Sequence, residues 1–496
     1  MAARNVRGGP LDGEAAQPGR SDGDAVSAVF GNGAHGPDGA APNRYRPLPT
    51  GTHGLDPELV KRDQRARLQS ALVELIALKG YAAVRIVDLA KLAHVSQPTF
   101  YSLYADKEAL FLSAYDEIAQ RTSRVVMRAY LGDDPHEQRV TAAMRAWAQF
   151  AAAEPQPTSL LVLGAFGAGP KALERRSRTL AQLERAIHLG RCALRGGERP
   201  SEPDPGDLMV KAILGGIREV TATRLREGRA SELPALADEL TRWAAFYAQR
   251  LPDGLRAPVV HRREPAEASV APPSERARRA EGRLPSGRND LPRQFIVKSQ
   301  RERIVDATAA IVAERGLAAL TVPEIARRAN ISHQTFYSIY ASKHEAFLGA
   351  QKVGMHKAFV IAVEAYQAER EEWPRAARAA LSALIEFLAS EPAHAHLSLV
   401  DTFAACPEAL EIRSSTLQAF ASYFGPAYEL AHDGRVEVPA IAGEAIAGGI
   451  WQILHHYTQN DCLAELPGAV PQLTYFALTP FLGAQAALAY SLPDSA

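Results

Sequence analysis

The fold is decided by one segment that the chain contains twice. Residues Val95–Lys107 read VSQPTFYSLYADK, and residues Ile331–Lys343 read ISHQTFYSIYASK. The copies lie 236 positions apart, and the preceding segments LKGYAAV and DLAKLA align with ERGLAAL and EIARRA at the same offset. Self-similarity of this length indicates an internal duplication.

The duplication extends beyond this segment. PKALERRSRTL (170–180) aligns with PEALEIRSSTL (407–417) at an offset of 237, and ILGGI at Ile213 aligns with IAGGI at Ile446 at an offset of 233. Colinear matches at so long a period predict a duplicated pair of domains rather than a short solenoid repeat. We call the two copies unit one and unit two.

Apolar residues outside the tail and linker recur with a helical period. Leu68, Leu72, Leu75 and Ile76 follow the i, i+4, i+7, i+8 pattern of one helix face, and strand-type alternation is almost absent. The sequence therefore predicts an all-α fold. Gly80 follows this helix where a left-handed C-terminal cap is expected, as Gly316 does in unit two.

A helix-turn-helix is expected after each of these glycines. Short helices (86–93 and 322–329) lead to the turns His94-Val95-Ser96 and Asn330-Ile331-Ser332, and second helices (97–103 and 333–339) follow. Histidine and asparagine tolerate a left-handed turn, and serine is a favoured N-cap. The second helix of such a motif enters the DNA major groove.

The second helices carry side chains suited to DNA. Glutamine pairs with adenine edges, threonine offers a hydroxyl and a methyl group, and tyrosine donates to phosphate. A lysine that opens the following helix is suited to a phosphate, together with the free backbone N–H groups there. The candidate DNA-binding residues are Ser96, Gln97, Pro98, Thr99, Tyr101 and Lys107 in unit one, and Ser332, His333, Gln334, Thr335, Tyr337 and Lys343 in unit two.

Charge supports this assignment modestly. The whole chain has a formal net charge of zero, but residues 57–112 carry eight basic against six acidic residues, and residues 293–348 carry eight against five. Arginines on or before the first helix of each unit, such as Arg67 and Arg303, are candidates for contacts with the DNA backbone. The alternative is that these arginines form ordinary solvated helix faces.

Composition separates the units from a tail and a linker. Residues before 58 are rich in Gly, Ala, Pro and Asp, which predicts disorder, and residues 251–295 contain seven prolines without a helical period. We therefore divide the chain into a disordered tail (1–57), a first DNA-binding domain (58–112), a first regulatory domain (113–250), a linker (251–295), a second DNA-binding domain (296–348) and a second regulatory domain (349–496).

These motifs resemble the tetracycline-repressor (TetR) family. KGYAAVRIVDLAKLAHVSQPTFYSLYADKEAL and RGLAALTVPEIARRANISHQTFYSIYASKHEAF both follow the family's N-terminal pattern. The resemblance implies two tandem units, each a three-helix DNA-binding domain followed by a helical ligand-binding and dimerisation domain. It adds Arg85 and Thr321, where relatives place a phosphate-contacting hydroxyl residue, and the motif aromatics Tyr104 and Tyr340. His94 and Asn330 replace the usual turn glycine, so base preference should differ between the units.

The resemblance also implies partners and regulation. Family members usually bind DNA as homodimers, so one chain with two units suggests an intramolecular pseudo-dimer on an imperfect palindrome; a homodimer of whole chains is the alternative. Relatives usually release DNA when a small molecule enters the C-terminal domain. Seven aromatic residues are candidates for the wall of such a pocket, and the alternative is that they simply form the core. They are Phe166, Trp243, Phe246, Phe403, Phe420, Trp451 and Tyr457.

Other functions find little support in the sequence. Three cysteines without CxxC spacing favour a reducing cytoplasm, and no run of 18 apolar residues or secretory leader is evident. A metal site has weak support, whether it is formed by His394 with His396 or by His455 and His456 with Cys462. Adjacent histidines on a helix point in different directions and do not easily face one ion. We expect a cytoplasmic, nucleoid-associated regulator rather than an enzyme, with no cofactor. An architectural DNA-binding protein without an effector is the remaining alternative.

Overall fold

In a computed structural model, the structure describes residues 56–131, 135–194, 207–252, 254–260, 293–402 and 407–492. Throughout these ranges the regular elements are helices and helical turns, and no strand occurs. The all-α prediction is confirmed. The predicted disordered tail, up to residue 55, and most of the predicted linker lie outside the described residues.

Unit one contains ten helices within the described ranges. They are α1 (Pro57–Ala83), α2 (Ile86–Leu92), α3 (Gln97–Leu103), α4 (Lys107–Tyr130), α5 (His136–Ala153), α6 (Pro155–Ser159), α7 (Ala165–Gly167), α8 (Pro170–Leu194), α9 (Met209–Arg226) and α10 (Leu233–Ala245). Helices α1 to α3 enclose a core around Phe100 and are closed by the start of α4.

In its described residues, unit two repeats this order for its first six helices and differs in detail after them. Its helices are α11 (Arg293–Arg315), α12 (Val322–Ala329), α13 (His333–Tyr337), α14 (Lys343–Ala368), α15 (Trp373–Ser390), α16 (Pro392–His396), α17 (Pro407–Ser422), α18 (Gly425–Asp433), α19 (Ala442–Gln459), α20 (Val470–Leu482) and α21 (Ala484–Ser491). A π-helical turn follows the short helix at matching places, Leu160–Gly164 and Leu397–Asp401. The duplication therefore extends to this irregular turn.

Helices α9 and α19 pack directly on each other and join the two units. Their glycine pairs make this possible: a Cβ on Gly216 would lie 2.5 Å from the Ala445 carbonyl oxygen, and one on Gly449 would lie 2.7 Å from the Ala212 carbonyl oxygen. The contact is reciprocal, since Ala212 and Ala445 occupy equivalent positions. The two backbones approach so closely that no other residue fits without displacement.

Two buried arginines at equivalent positions, one from each unit, flank this helix contact and have different partners. Arg413 donates to both carboxylate oxygens of Glu219 at 3.1 and 2.6 Å, and both side chains are buried. The equivalent arginine of unit one, Arg176, contacts the amide oxygen of Gln452 at 3.5 Å. Burial raises the pKa of Glu219, but Arg413 and Arg226 outweigh it and hold that pKa below its ordinary value.

Part of the predicted linker packs against unit two. Leu255 and Ala257 are buried in the core that the two units share, and the Tyr457 hydroxyl donates to the Pro258 carbonyl at 2.8 Å. Helix α11 already begins at Arg293, three residues before our boundary. A proline-rich composition did not reveal these apolar anchors. Within the described residues, no helix is both long and apolar enough to cross a membrane.

Candidate nucleic-acid interface

The turn before each second helix has the backbone that the sequence predicts. His94 and Asn330 both have a φ of 51°, in the left-handed region where Asn and His are the better-tolerated non-glycine residues. Gly80 and Gly316 have φ values of 73° and 74°, but their ψ values of 155° and 169° put them in a glycine-only region rather than in a left-handed helical cap.

Two arginines that we assigned to the DNA backbone hold this turn instead. Arg67 donates to the carbonyl oxygens of Ala93 and His94 at 2.6 and 3.1 Å, and its side chain is buried. Arg303, at the equivalent position, donates to the carbonyls of Ala329 and Asn330 at 3.1 and 3.2 Å. The prediction is wrong for this pair because the end of helix α2 or α12 leaves carbonyls that need donors.

The second helices are capped as predicted. Ser96 accepts from the Thr99 backbone N–H at 3.2 Å, and Ser332 accepts from the Thr335 N–H at 3.0 Å. Each threonine hydroxyl also lies within 2.9 Å of its serine hydroxyl. The threonine hydroxyls are thus engaged in the cap.

One exposed face remains on each second helix. In unit one it carries Gln97, Pro98 and Tyr101, and in unit two its members are His333, Gln334 and Tyr337. The tyrosines are 56% and 58% exposed, and each ring packs edge-on against the buried phenylalanine beside it. Exposed aromatic rings with a fixed direction and a free hydroxyl suit contacts with a sugar-phosphate backbone.

The lysines that open the next helices are turned towards the protein. Lys107 donates to the carbonyl oxygens of Tyr81 and Val84, both at 2.9 Å, and Lys343 donates to the Leu320 carbonyl at 2.9 Å. Burial, with a smaller contribution from Lys79, lowers the pKa of the Lys107 ammonium. A charge reversal at either lysine would break these bonds as well as remove a positive charge near DNA.

The four residues added by the resemblance divide into two groups. Arg85 is exposed and pairs with Asp88 at 3.0 Å, and Thr321 is exposed as the N-cap of α12. Tyr104 and Tyr340 are each only 7% exposed and belong to the cores of their domains. Their burial assigns them to supporting the second helix rather than to its outer face.

Comparison with known sequences agrees with this geometry. The family profile described as "Bacterial regulatory proteins, tetR family" matches residues 68–114 and again residues 304–349. Each of these two segments is a TetR-type DNA-binding domain. The two matches coincide with the two helix-turn-helix segments, so the chain carries the DNA-binding domain of that family twice.

Individual relatives match only part of the chain. A curated relative, the HTH-type transcriptional regulator EthR of Mycolicibacterium smegmatis, is 37% identical over 59 residues, which is 12% of this chain and 27% of EthR. Among solved structures, the fatty acid degradation regulator FadR of Bacillus halodurans is 18% identical with a TM-score of 0.32, covering 36% of this chain and 94% of its own. A TetR-like regulator from Rhodococcus sp. RHA1 is 17% identical with a TM-score of 0.31, covering 39% and 100%.

An apolar cavity of about 140 Å³ lies inside unit two, between helices α14, α15, α17 and α19. Of the predicted pocket residues, Phe420 and Trp451 line it. Trp243 and Tyr457 are fully buried in the core instead, and Phe246 packs beside that core. The Phe166 side chain and Phe403 lie outside the described residues. We call this space the unit-two cavity.

Sequence reasoning missed the polar residues of the unit-two cavity. His394 and Ser398 line it beside Gly354, and His394 entered the sequence analysis only as a weak metal ligand. Its Nε2 lies 3.2 Å from Asp306 Oδ1, while His396 pairs with Asp401 and His455 Nδ1 with the Leu399 carbonyl. The described residues contain no cluster of three or more His, Cys, Asp and Glu side chains that would hold a metal.

Proposed function

We propose that this chain is an effector-responsive transcriptional repressor. In this proposal one chain is an intramolecular pseudo-dimer, and its second helices, α3 and α13, bind one imperfect palindromic operator. We call these two helices the reading helices and the two DNA-binding domains that carry them the reading heads. The observation that carries the proposal is the close packing of α9 on α19 through reciprocal glycines. A contact of this kind relates two equivalent surfaces, as an isologous dimer interface does.

The interface also favours pairing of unit one with unit two over pairing of unit one with itself. Arg224 donates to both carboxylate oxygens of Glu444 at 2.8 and 2.6 Å, across the joint. The residue of unit one equivalent to Glu444 is Lys211. If two copies of unit one packed in the same way, Arg224 of one copy would lie against Lys211 of the other. Two positive charges in contact there would be destabilising.

Both reading helices retain an exposed polar face, which supports two engaged heads. The faces differ, since Gln97 and Pro98 correspond to His333 and Gln334. Different side chains at base-contacting positions favour different bases. The two half-sites should therefore differ in sequence around a common motif.

The unit-two cavity supports effector binding. Its walls are almost entirely apolar and it lies behind the second DNA-binding domain, with which it shares the His394–Asp306 contact. A ligand that fits only one arrangement of these helices shifts the chain towards that arrangement. Release of DNA on ligand binding follows if that arrangement misplaces a reading head. One structural relative, FadR of Bacillus subtilis, was solved in complex with stearoyl-CoA.

Binding-site selection with the purified full chain tests the DNA-binding part. The expected result is an enriched site with two related but unequal half-sites, centred about one helical turn apart. A perfect palindrome would count against unequal heads in one chain. Weak sequence preference throughout would instead favour an architectural DNA-binding protein.

A further inference from the structure

Two buried polar atoms in the unit-two cavity lack hydrogen-bond partners among the described residues. They are Nδ1 of His394 and Oγ of Ser398, whose residues are only 5% and 6% exposed. Both atoms face Gly354: a Cβ added there would lie 3.4 Å from the first and 3.1 Å from the second. Leaving a buried polar atom without a partner is destabilising, so the pair marks a place for a ligand group.

The geometry specifies what that group donates and accepts. Asp306 Oδ1 accepts from His394 Nε2 at 3.2 Å, so a ring proton lies on Nε2, and Nδ1 of the neutral imidazole is an acceptor. Ser398 Oγ carries a hydroxyl proton that is available for donation to a ligand atom. A ligand hydroxyl satisfies both atoms at once, because its O–H donates to Nδ1 while its oxygen accepts from Ser398.

The rest of the unit-two cavity defines the body of the ligand. Its walls are formed by apolar side chains such as those of Leu384, Leu388, Phe420 and Leu454. At about 140 Å³ the space resembles dry apolar cavities of about 150 Å³ that accept a benzene ring. The matching chemistry is a small phenol or alcohol with an apolar body.

The equivalent region of unit one is built differently. Pro157 and Leu161 occupy the positions of His394 and Ser398, and Ile118 that of Gly354. Trp147 replaces Leu384, and its indole N–H donates at 3.3 Å to Thr221, which replaces Leu454. A large ring thus bridges helices α5 and α9 where unit two leaves space between α15 and α19.

A short series of contacts connects the unit-two cavity to the reading head. Asp306, the partner of His394, lies on α11, the first helix of the second DNA-binding domain. Arg303 lies one helical turn earlier and donates to the carbonyls of Ala329 and Asn330, which form the turn before α13. A displacement of the histidine ring therefore acts on the helix that holds this turn.

We propose that unit two alone carries the effector site of the chain, that the site takes an apolar phenol or alcohol held by His394 and Ser398, and that Asp306 transmits occupancy to the second reading head. This inference rests on the proposed function for its effect on DNA. Its ligand chemistry and its one-site stoichiometry stand independently of DNA binding.

The first test is calorimetric titration of the full chain with 4-ethylphenol and with 4-ethyltoluene, which replaces the hydroxyl by a methyl group of similar size. We expect one molecule of 4-ethylphenol per chain and an affinity about tenfold above that of 4-ethyltoluene. Ser398→Ala should reduce this preference several-fold, whereas Leu161→Ala, at the equivalent position of unit one, should leave it unchanged. Two molecules per chain, equal affinities or no binding of 4-ethylphenol would each overturn the proposal.

The second test measures coupling with Asp306→Ala and the control Ser70→Ala, its equivalent in unit one. Operator affinity is titrated with and without saturating 4-ethylphenol, after thermal unfolding has shown that each variant is folded. We expect the ligand to weaken operator binding at least tenfold in the parent and in Ser70→Ala, and less than threefold in Asp306→Ala. An unchanged ligand effect in Asp306→Ala would overturn the link. A parent chain that binds the ligand but no specific operator would refute the proposed function and leave the ligand site standing.

Discussion

At the scale of single residues, each helix-turn-helix is held by short polar side chains that fix its backbone and by basic side chains that bind its carbonyls. Ser96 caps its helix and Asn330 adopts the left-handed turn, and because both effects are local the sequence predicts them. Arg67 and Lys107 were assigned to phosphate, but the structure shows them donating to backbone carbonyls of their own domain. A basic side chain satisfies either partner, and the choice depends on the tertiary fold.

The exposed tyrosines provide the most direct residue-scale prediction. Tyr101→Phe and Tyr337→Phe remove one exposed hydroxyl each and leave the ring packed on its phenylalanine. Each change should weaken operator binding by about three- to tenfold, which corresponds to the net value of one hydrogen bond, about 1 kcal/mol. Titration at fixed salt measures the effect, and unfolding midpoints should not change. If only one variant loses affinity, the other unit is not engaged with DNA.

The arginine that holds the turn of unit two should contribute to stability. Arg303→Ala removes two hydrogen bonds to the Ala329 and Asn330 carbonyls, so the free energy of unfolding should fall by about 1–3 kcal/mol. Arg301→Ala, on the same helix but exposed, is the control and should change stability by less than about 0.5 kcal/mol. Denaturant unfolding compares the two. Equal effects would show that the contact to the turn is not stabilising.

At the scale of helices, close approach depends on glycines that the sequence analysis used only to align the repeats. Gly216→Ala places a Cβ 2.5 Å from both the Ala445 carbonyl oxygen and the Trp243 ring, so α9 and α19 must separate. We expect a loss of about 1–3 kcal/mol in unfolding free energy. Gly425→Ala is the control, because a Cβ there meets nothing within 4 Å. A Gly216→Ala chain as stable as the control would contradict the tight contact.

Sequence patterns predicted the helices but not which faces enclose a cavity. Phe420 and Trp451 were assigned to a pocket as aromatics, together with Trp243, which fills the core instead. Helical period separates buried from exposed faces, but it does not tell a packed interior from one with a space. That difference arises between equivalent positions, where Trp147 bridges helices in unit one and Leu384 does not in unit two.

At the scale of the whole molecule, the shared core makes stability depend on pH. Burial lowers the pKa of His455 to about 3, and the nearby arginines, Arg176 first, add repulsion. The unfolded chain binds a proton near pH 6.5 while the folded chain resists it, so stability falls as pH drops from about 6.5 towards 3. Between pH 7 and pH 5 this histidine should cost about 2 kcal/mol.

Urea unfolding of the parent and of His455→Gln at pH 7 and pH 5 measures this effect. The variant should lose about 2 kcal/mol less than the parent over that interval, because its side chain does not titrate. The same loss in both chains would mean that His455 titrates normally in the folded protein.

Duplication and its offsets were visible in the sequence, so the two-unit architecture was predictable. The joint between the units was less predictable, because the sequence does not reveal the buried Glu219–Arg413 ion pair. Its partners are 194 positions apart, and only the folded chain brings them together. The buried anchor at Leu255 was likewise hidden in a proline-rich segment.

In the proposed function, one chain places two reading heads on one operator. The molar mass of the protein–operator complex, measured by light scattering with the selected operator duplex at saturation, tests it most directly. We expect one chain per duplex, and one chain alone in solution. A complex of two chains per duplex, with a dimer in solution, would contradict it.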